Sequence, residues 1–405
     1  MLRLFNTLGR RMETFQPVNR DAVTIFTCGP SVYQRAHIGN FRTFLFEDVL
    51  VRYLEYLGYR VVRGMNFTDI EDKAVREAEK RGLVLDAMTE ENIRIFTDEM
   101  NLLRIKIPDY LARASETVSD AVGIIEELIN KGAAYRHGRN VYFDALTYPR
   151  FGALYGIDMS RWPSKKRRFH RDTYRGNRWN LGDFVLWHGC DKGYDVCWDT
   201  SLGTGRPAWN IQDAGIMSAH VDETLSIYCG GIDNLIRHHD YTMAILESIR
   251  PYPMARFWLH GRHLLVKGKK MSKNRGNIYY TDRLLKEGYS PEEIRFFLID
   301  GHYRTELDFS PENMGDAAGR LRSFGERVAL LQAKAGENAD ADTPAARRIG
   351  KVFRDRMDDD LDVKGAFDAV EAHLADILSG KPSRDKAAAV LAGVKEIDTV
   401  LQVIF

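Results

Sequence analysis

The sequence predicts an α/β protein with a Rossmann-type parallel sheet, an inserted module and a C-terminal α-helical bundle. Over about the first 300 residues, apolar strands alternate with amphipathic helices, an order that favours right-handed crossovers in a parallel sheet. Glycine-bearing turns follow several of these strands, and only amphipathic helices follow residue 311. A chain of 405 residues exceeds one ordinary hydrophobic core, so we expect two or three domains.

Composition and charge exclude several classes of protein. The formal net charge is +1, so a nucleic-acid partner has to be met by a local basic patch rather than by the whole surface. No window approaches the length and apolarity of a membrane span, and the N-terminal residues lack the apolar stretch of a signal peptide. Four cysteines show no paired framework, which is typical of a reducing compartment. We therefore expect a cytoplasmic protein without membrane contact.

The first elements surround a turn that suits an anion. Residues 2–15 alternate in polarity and favour an edge hairpin, and a short apolar strand then ends at Cys28, Gly29 and Pro30. A helix with apolar residues at helical spacing follows over 41–57. Because the free N–H groups of a helix start point at whatever lies above them, the turn between strand and helix predicts an anion site. A tight turn with one buried cysteine remains the alternative.

The alternation of strands and helices continues to about residue 300. The next predicted strands cover residues 59–65, 140–144, 225–229 and 257–260. The predicted helices cover residues 72–81, 88–132 in two pieces around Pro108, 214–220, 238–249 and 292–301. We assign residues 1–310 to the α/β domain, with the inserted module at about 90–205, and residues 311–405 to the helical bundle.

A strongly basic stretch lies within the predicted inserted module. Residues 161–178 combine lysines and arginines with Trp162, Phe169 and Tyr174. Basic residues interleaved with aromatic ones suit a nucleic-acid backbone with stacked bases. A solvated loop explains the same composition equally well, so both interpretations stay open.

Three features stand at the carboxyl ends of predicted strands, where open parallel sheets bind ligands. They are the turn at 37–40, a glycine turn at 230–233 and a lysine-bearing loop at 266–277. Glycines let a flat base or sugar approach, the acidic residue of the glycine turn suits ribose hydroxyls, and lysines match the charge of transferring phosphates. Together they suit attack on the α-phosphate of ATP with Mg²⁺. Each feature alone is also explained by an ordinary turn or a solvated loop.

The order of these motifs resembles that of the class I aminoacyl-tRNA synthetases, and within them of the cysteinyl-tRNA synthetases. His37-Ile38-Gly39-Asn40 is similar to the HIGH signature, and Lys270-Met271-Ser272-Lys273-Asn274 is similar to KMSKS. Further matching stretches are CGPSVYQRAHIGNFRT, NFTDIEDK, DFVLW, GRPAWNI and GHYRTELDFSPEN. The resemblance implies the class I synthetase catalytic fold with an inserted acceptor-binding module. It also implies a DALR-type anticodon-binding bundle, with the small final α/β domain of many members absent.

The resemblance implies roles for individual residues, together with ATP and Mg²⁺. The catalytic residues carried over are His37, Asn40, Lys270 and Lys273. The ATP-binding residues are His37, Gly39, Asn40, Gly230, Gly231, Asp233, Lys270, Ser272 and Lys273. The amino-acid pocket comprises Cys28, Gly29, Thr68, Trp209, Asn210, Asp213 and His238.

One part of the pattern departs from the family. Its members hold zinc with two cysteines, one histidine and one glutamate, and the substrate thiolate binds that zinc. Cys28 and His238 match two of these positions, whereas Asp213 replaces the second cysteine and Thr242 replaces the glutamate. Threonine is a weak neutral ligand and one thiolate is missing, so this set of four predicts that zinc is lost. The substitute ligands nearby in the sequence are His239, Asp240 and Cys229.

Loss of the metal would change the substrate. Burial of a small side chain alone discriminates by only about 1–3 kcal/mol, so we expect a pocket without zinc to activate an amino acid other than cysteine. The expected partners are an amino acid, ATP and an acyl acceptor, which is tRNA, a carrier protein or a small amine as in the related mycothiol ligase. We expect a monomer. A non-catalytic paralogue that binds only RNA or a regulatory partner is the alternative, and the intact HIGN and KMSKN stretches argue against it.

Overall fold

The computed structural model describes residues 1–158, 182–190, 196–271, 275–335 and 343–405. The strands are β1 (Arg3–Asn6), β2 (Arg11–Thr14), β3 (Val23–Thr27), β4 (Val61–Phe67), β5 (Tyr110–Arg113), β6 (Ala134–His137), β7 (Asn140–Phe143), β8 (Phe184–Gly189), β9 (Gly205–Pro207), β10 (Leu225–Gly231), β11 (Ala255–Gly261), β12 (Leu264–Val266), β13 (Lys269–Lys270) and β14 (Leu307–Phe309). The α-helices are α1 (Ile38–Tyr56), α2 (Asp72–Arg81), α3 (Leu85–Leu102), α4 (Val118–Asn130), α5 (Trp209–His220), α6 (Asp240–Ile249), α7 (Thr281–Lys286), α8 (Pro291–Ile299), α9 (Pro311–Lys334), α10 (Pro344–Met357), α11 (Val363–Ser379) and α12 (Arg384–Leu401).

The centre of the protein is a five-stranded parallel sheet in the order β11–β10–β3–β4–β5. Chain order runs outward from β3 in both directions, through β4 and β5 on one side and through β10 and β11 on the other. The point between β3 and β10 is therefore a topological switch point, where ligands of open α/β sheets bind beyond the carboxyl ends of the strands. This arrangement confirms the predicted Rossmann-type sheet.

Helix α1 follows β3 and fixes the position of the first predicted motif. It begins after His37 and ends at Tyr56, and Gly58 then adopts a φ of 89°. That left-handed conformation suits glycine and stops the helix, as the sequence predicts. Buried residues lie on several sides of α1, so the helix is enclosed between the parallel sheet and the C-terminal helices.

The second predicted helix agrees with α2, which spans the predicted residues and ends at Gly82 with a φ of 63°. The prediction of two helical pieces over 88–132 is wrong for Tyr110–Arg113, which forms the edge strand β5. A strand of four residues is shorter than the window over which helical spacing is judged. Pro108 just before it favours an extended backbone at the preceding residue, a signal that points to a strand.

A separate four-stranded antiparallel sheet, in the order β6–β7–β8–β9, lies between β5 and α5 in the chain. It begins at Ala134, inside the predicted inserted range of about 90–205, and its last strand ends just past that range at Pro207. Cys190 and Cys197 form a disulfide beside this sheet, so the expectation that no cysteines are paired is wrong for these two. The predicted basic stretch at 161–178 lies outside the described residues.

Helices α9 to α12 form the C-terminal part of the chain, as predicted. Helix α9 begins at Pro311, after Ser310, whose hydroxyl accepts from the Asn313 N–H at 3.0 Å. The buried side chains of this part join those of α1 and α8 in one continuous hydrophobic cluster. The domain boundaries stay predictions. Among the described residues, we find no helix with the length and apolarity that crossing a membrane demands.

Candidate active site

The candidate site lies where β3 and β10 end side by side. The N–H of Cys28, just past β3, donates to the carbonyl of Cys229 in β10 at 3.0 Å. This bond places Cys28 at the switch point of the sheet, with its side chain largely buried. Next to it, Gly29 approaches the end of β4 so closely that a Cβ atom would lie 1.8 Å from the carbonyl oxygen of Asn66. Only glycine fits there.

Asn66 links this turn to the opposite wall of the pocket. Its Oδ1 accepts from the Gly29 N–H at 2.7 Å, and its Nδ2 donates to Asp213 Oδ1 at 2.9 Å. The same amide nitrogen lies 3.3 Å from the hydroxyl of Thr68, one of the predicted pocket residues. Asn66 and Thr68 are both buried, so the end of β4 forms one rigid side of the pocket.

Asp213 is a fully buried carboxylate near the middle of α5. Besides the bond from Asn66, it accepts from the Tyr228 hydroxyl at 2.8 Å through Oδ2. That oxygen also lies 2.8 Å from Nε2 of His238, although the contact is not aligned as a hydrogen bond. Burial and the neighbouring Asp213 raise the pKa of Tyr228 well above its usual value, so the phenol stays a donor. One carboxylate thus joins β4, β10 and the segment before α6.

Two adjacent histidines, His238 and His239, are both fully buried. They close a single π-helical turn, Leu235–His239, that precedes α6. Such wide turns are frequent at functional sites. His238 stacks on Trp209 with ring centroids 4.3 Å apart and planes within 4°, so Trp209 forms a wall of the pocket next to this histidine.

Cys28 lies in a negative environment. Burial raises the pKa of its thiol well above the usual value, and Asp213 raises it further. Asn234 Nδ2 approaches the sulfur at 3.6 Å. In the absence of a bound cation, Cys28 is therefore a neutral thiol.

The other half of the site is the start of α1. Nδ1 of His37 accepts from the N–H of Asn40 at 3.2 Å, and Oδ1 of Asn40 accepts from the N–H of His37 at 3.0 Å. This reciprocal cap holds both side chains at the positive end of the helix. Gly39 lies between them in the first turn, where a Cβ would come within 3.0 Å of the His37 ring.

Lys270 comes to the same edge from the hairpin of β12 and β13. Its Nζ lies 2.6 Å from Oδ2 of Asp233, which follows Gly230 and Gly231 at the end of β10. Burial alone would raise the pKa of Asp233, but Lys270 outweighs it and holds the pKa below its usual value. Ser272 and Lys273, the other predicted residues of this loop, lie outside the described residues.

The chain matches known proteins along most of its length. A family model described as the class I (C) tRNA synthetase catalytic domain matches residues 14–319. The cysteine–tRNA ligase of Chlamydia muridarum is 35% identical over 428 aligned residues, covering 100% of this chain and 88% of that protein. The cysteine–tRNA ligase of Chlamydia trachomatis serovar D is 39% identical over 334 residues, covering 82% of this chain and 69% of that protein.

This chain belongs to the class I cysteinyl-tRNA synthetase family.

Solved structures of class I synthetases share the fold. Methionyl-tRNA synthetase of Mycobacterium tuberculosis, in complex with methionyl-adenylate, superposes with a TM-score of 0.69 at 15% identity, covering 94% of this chain and 92% of that one. A putative arginyl-tRNA synthetase from Campylobacter jejuni gives 0.62 at 13% identity, with 96% and 94% covered. As a family member, the chain is a ligase of the adenylate-forming aminoacyl-tRNA synthetase class.

The four positions of the family's zinc site are Cys28, Asp213, His238 and Thr242 in this chain. Both oxygens of Asp213 already accept hydrogen bonds. The hydroxyl of Thr242 donates to the carbonyl of His238 at 2.9 Å, within its own helical segment. A neutral hydroxyl that is already hydrogen-bonded is a poor metal ligand, so Thr242 is the weakest of the four positions. Of the substitutes, Asp240 accepts from backbone N–H groups of residues 154 and 155.

The hydrogen bonds at the site differ in two respects from what the sequence predicts. Asn210, predicted for the pocket, donates to the carbonyl of Val185 in β8 at 3.3 Å. Conversely, the sequence analysis did not include Asn66, Tyr228 or Asn234, which contact the pocket residues. The sequence does contain a signal for Asn66, because it is a polar residue near the carboxyl end of β4. That end lies at the same edge of the sheet as Cys28. In the sequence, Tyr228 looks like any other strand residue. Only the register of β10 in the folded sheet brings its hydroxyl to Asp213.

Proposed function

We propose that this chain activates an amino acid with ATP and Mg²⁺, forms an aminoacyl-adenylate with release of pyrophosphate, and transfers the aminoacyl group to an acceptor. The two sides of one cleft offer the groups that this reaction needs. The α1 cap offers the positive end of a helix to phosphates, and the Cys28–Asn66–Asp213 side offers a closed pocket to a small side chain.

The observation that carries the proposal is the Lys270–Asp233 contact across this cleft. It places a cation beside a residue that suits ribose hydroxyls, close to the glycines of β10. A cation that meets charge developing on phosphate oxygens is what attack at the α-phosphate requires, since little other chemistry is left to the protein. We assign Gly230, Gly231 and Asp233 to the nucleoside, and His37, Gly39, Asn40, Lys270, Ser272 and Lys273 to the phosphates.

For the acceptor, we propose tRNA. Family membership over nearly the whole chain, including α9 to α12, supports this choice. The working form would be a cytoplasmic monomer. A small amine or a carrier protein remains an acceptor that the same adenylate can serve.

The identity of the amino acid is a separate question. The expectation of an amino acid other than cysteine depends on Asp213 and Thr242 and stays a prediction. His239, one of the substitute ligands named from the sequence, offers a ligand atom within 4.8 Å of those of Cys28 and His238. Either way, the pocket takes a small side chain, because Asn66, Trp209 and the buried histidines enclose it.

Amino-acid-dependent ATP–pyrophosphate exchange tests the proposal. The purified chain is assayed with each amino acid separately, with cysteine and serine as the informative pair. We expect exchange with one or a few amino acids, and aminoacylation of total tRNA with the same ones. Absence of exchange with every amino acid would refute the proposal. Exchange without tRNA charging would keep the activation step and reject tRNA as the acceptor.

A further inference from the structure

Cys190 and Cys197 form a disulfide, whereas Cys28 and Cys229 are free and buried. The two bonded cysteines lie seven positions apart, so the bond closes a short loop. A disulfide that closes a short loop stabilises a fold less than one that closes a long loop. In cytoplasmic proteins, disulfides are usually transient and take part in redox sensing or catalysis. For a chain whose proposed location is the cytoplasm, these facts favour a pair that is oxidised and reduced reversibly.

The disulfide spans the start of β9. On one side, the N–H of Cys190 donates to the carbonyl of Thr204, the residue before β9, at 3.0 Å. On the other side, Trp198, which follows Cys197, exchanges two backbone hydrogen bonds with Gly205 at 2.7 and 3.0 Å. The sulfur–sulfur bond therefore fastens the end of β8 to a segment on the far side of β9.

The pair is accessible from solvent. Both cysteines are partly exposed. Cys197 also lines a groove of about 1010 Å³, together with its two neighbours and with the turn that joins α2 to α3. Thiol–disulfide exchange requires that a small thiol or disulfide reach one of the sulfurs, and this groove provides the access.

The strand under the disulfide also contacts the parallel-sheet part of the protein. Arg206 follows Gly205 in β9, and its guanidinium pairs with Asp72, the first residue of α2. Helix α2 follows the end of β4, which forms one side of the candidate pocket. The disulfide thus lies next to a strand that joins the antiparallel sheet to this side of the site.

We propose that Cys190 and Cys197 are a reversible redox site, oxidised by low-molecular-weight disulfides and reduced by thiols, and that the oxidised form holds residues 196–198 against β9. One cysteine attacks a small disulfide, forms a mixed disulfide and releases one small thiol. The second cysteine attacks the mixed disulfide and releases the second small thiol. The two cysteines give up two electrons and two protons, which leave with the two released thiols. The inference rests on the proposed function only in the cytoplasmic location.

Counting of thiols in the full-length protein tests the redox site. The protein is equilibrated with oxidised or reduced glutathione, quenched with acid, denatured and alkylated with a maleimide, and its mass is measured. We expect two labels per chain in oxidised and four in reduced glutathione, since Cys28 and Cys229 are free in both. Cys197→Ser should instead carry one glutathione in the oxidising buffer, because the mixed disulfide cannot be resolved. Two labels in the reducing buffer, or four in the oxidising buffer, would overturn a reversible pair.

Hydrogen–deuterium exchange tests the effect on β9. The amides of Trp198 and Gly205 should take up deuterium more slowly in the oxidised than in the reduced protein, because the disulfide holds their hydrogen bonds closed. The amides of β3 are the internal control and should behave alike in both states. The double variant Cys190→Ser, Cys197→Ser should match the reduced wild type in both buffers. Equal uptake at Trp198 and Gly205 in the two states would overturn the effect on β9.

Pyrophosphate exchange separates this inference from the proposed function. No pyrophosphate exchange in either buffer, with thiol counts that change as expected, would refute the proposed function and keep the redox site. Normal pyrophosphate exchange by a protein whose thiol count is the same in both buffers would do the reverse.

Discussion

Lys270 reaches Asp233 from β13, whose two lysines are exposed to solvent, and the proposed function gives this contact the task of receiving a nucleotide. The pair is about half exposed on each side, so its contribution to folding is small. In the proposed reaction its value is greater, because we expect the same cation to move from Asp233 to phosphate oxygens when ATP binds.

We predict that Lys270→Ala lowers amino-acid-dependent pyrophosphate exchange on the order of 10²–10³-fold, the cost of losing one transition-state contact. The midpoint of thermal unfolding should change little. Lys269→Ala is the matched control, since Lys269 is an exposed lysine of the same strand. Equal losses in both variants would show that the hairpin needs positive charge in general rather than Lys270.

Glu47 provides a pH-dependent test of the core beneath the site. It is fully buried and lies 3.1 Å from Arg63. Burial raises its pKa to about 8, and Arg63 offsets this only in part. Because the pKa is higher in the folded than in the unfolded state, the folded protein holds the extra proton between the two values. The stabilisation is fully present below pH 4.5 and is lost as pH rises towards about 8.

We therefore predict that the unfolding temperature of the wild type decreases as the pH is raised from 5 to 8. Glu47→Gln should reduce this decrease. Differential scanning calorimetry at several pH values measures it, and Glu55→Gln on the same helix is the control. A wild type and a Glu47→Gln variant with the same pH dependence would contradict a raised pKa at Glu47.

At the residue scale, the sequence predicts the positions that carry known motifs and misses their partners. Cys28, His37 and Lys270 stand in recognisable patterns. Asn66 and Tyr228 reach Asp213 only because three strands and α5 meet in one register, and no local pattern encodes such a meeting.

At the scale of elements, the start of α1 serves two purposes. The His37–Asn40 cap satisfies orphan N–H groups of the helix, and the same residues face the proposed phosphate position. Substitutions can separate these purposes, because aspartate at this third helical position keeps an oxygen that accepts from the His37 N–H and adds a negative charge.

We predict that Asn40→Asp keeps the unfolding midpoint of the wild type and lowers exchange at least about tenfold, because a carboxylate opposes the phosphates. Asn40→Ala should lower both, with a loss of about 1 kcal/mol in the free energy of unfolding, because the hydrogen bond from the His37 N–H is lost. Full exchange by Asn40→Asp would show that ATP phosphates do not approach this helix end.

Element types and order are predictable where hydrophobic spacing is long and regular, as in α1, α2 and α9 to α12. Prediction fails where an element is short. The strand β5 is hidden between two helices, and the π-helical turn at 235–239 reads as the start of α6. That turn places two adjacent histidines in the interior, so the missed detail is the one that most affects the site.

At the scale of the whole molecule, one buried arginine ties the last helix, α12, to α1 and to the end of α3. Arg295 of α8 is fully buried and donates to Asp48 of α1 at 2.6 Å. It also donates to the carbonyl of Leu103, after α3, at 2.9 Å and to that of Leu401, at the end of α12, at 2.7 Å. These elements also share one hydrophobic cluster, so the clamp favours unfolding of α1, α8 and the C-terminal helices as one unit.

We predict that Arg295→Ala costs about 3–5 kcal/mol in the free energy of unfolding, because Asp48 and two carbonyls lose their buried donor. Arg322→Ala should cost less than about 1 kcal/mol, since Arg322 is 62% exposed in its contact with Glu293. Urea denaturation followed by both fluorescence and circular dichroism measures each value. Two separate transitions in the wild type would contradict unfolding as one unit.

The most direct test of the central claim is mass spectrometry of the small molecules bound to the enzyme after incubation with ATP, Mg²⁺, the amino acids and pyrophosphatase. Adenylate formation predicts an enzyme-bound species with the mass of AMP plus one amino acid minus water, absent from Lys270→Ala at short times. ATP recovered unchanged, or converted to ADP with no aminoacyl-AMP at any time, would contradict it.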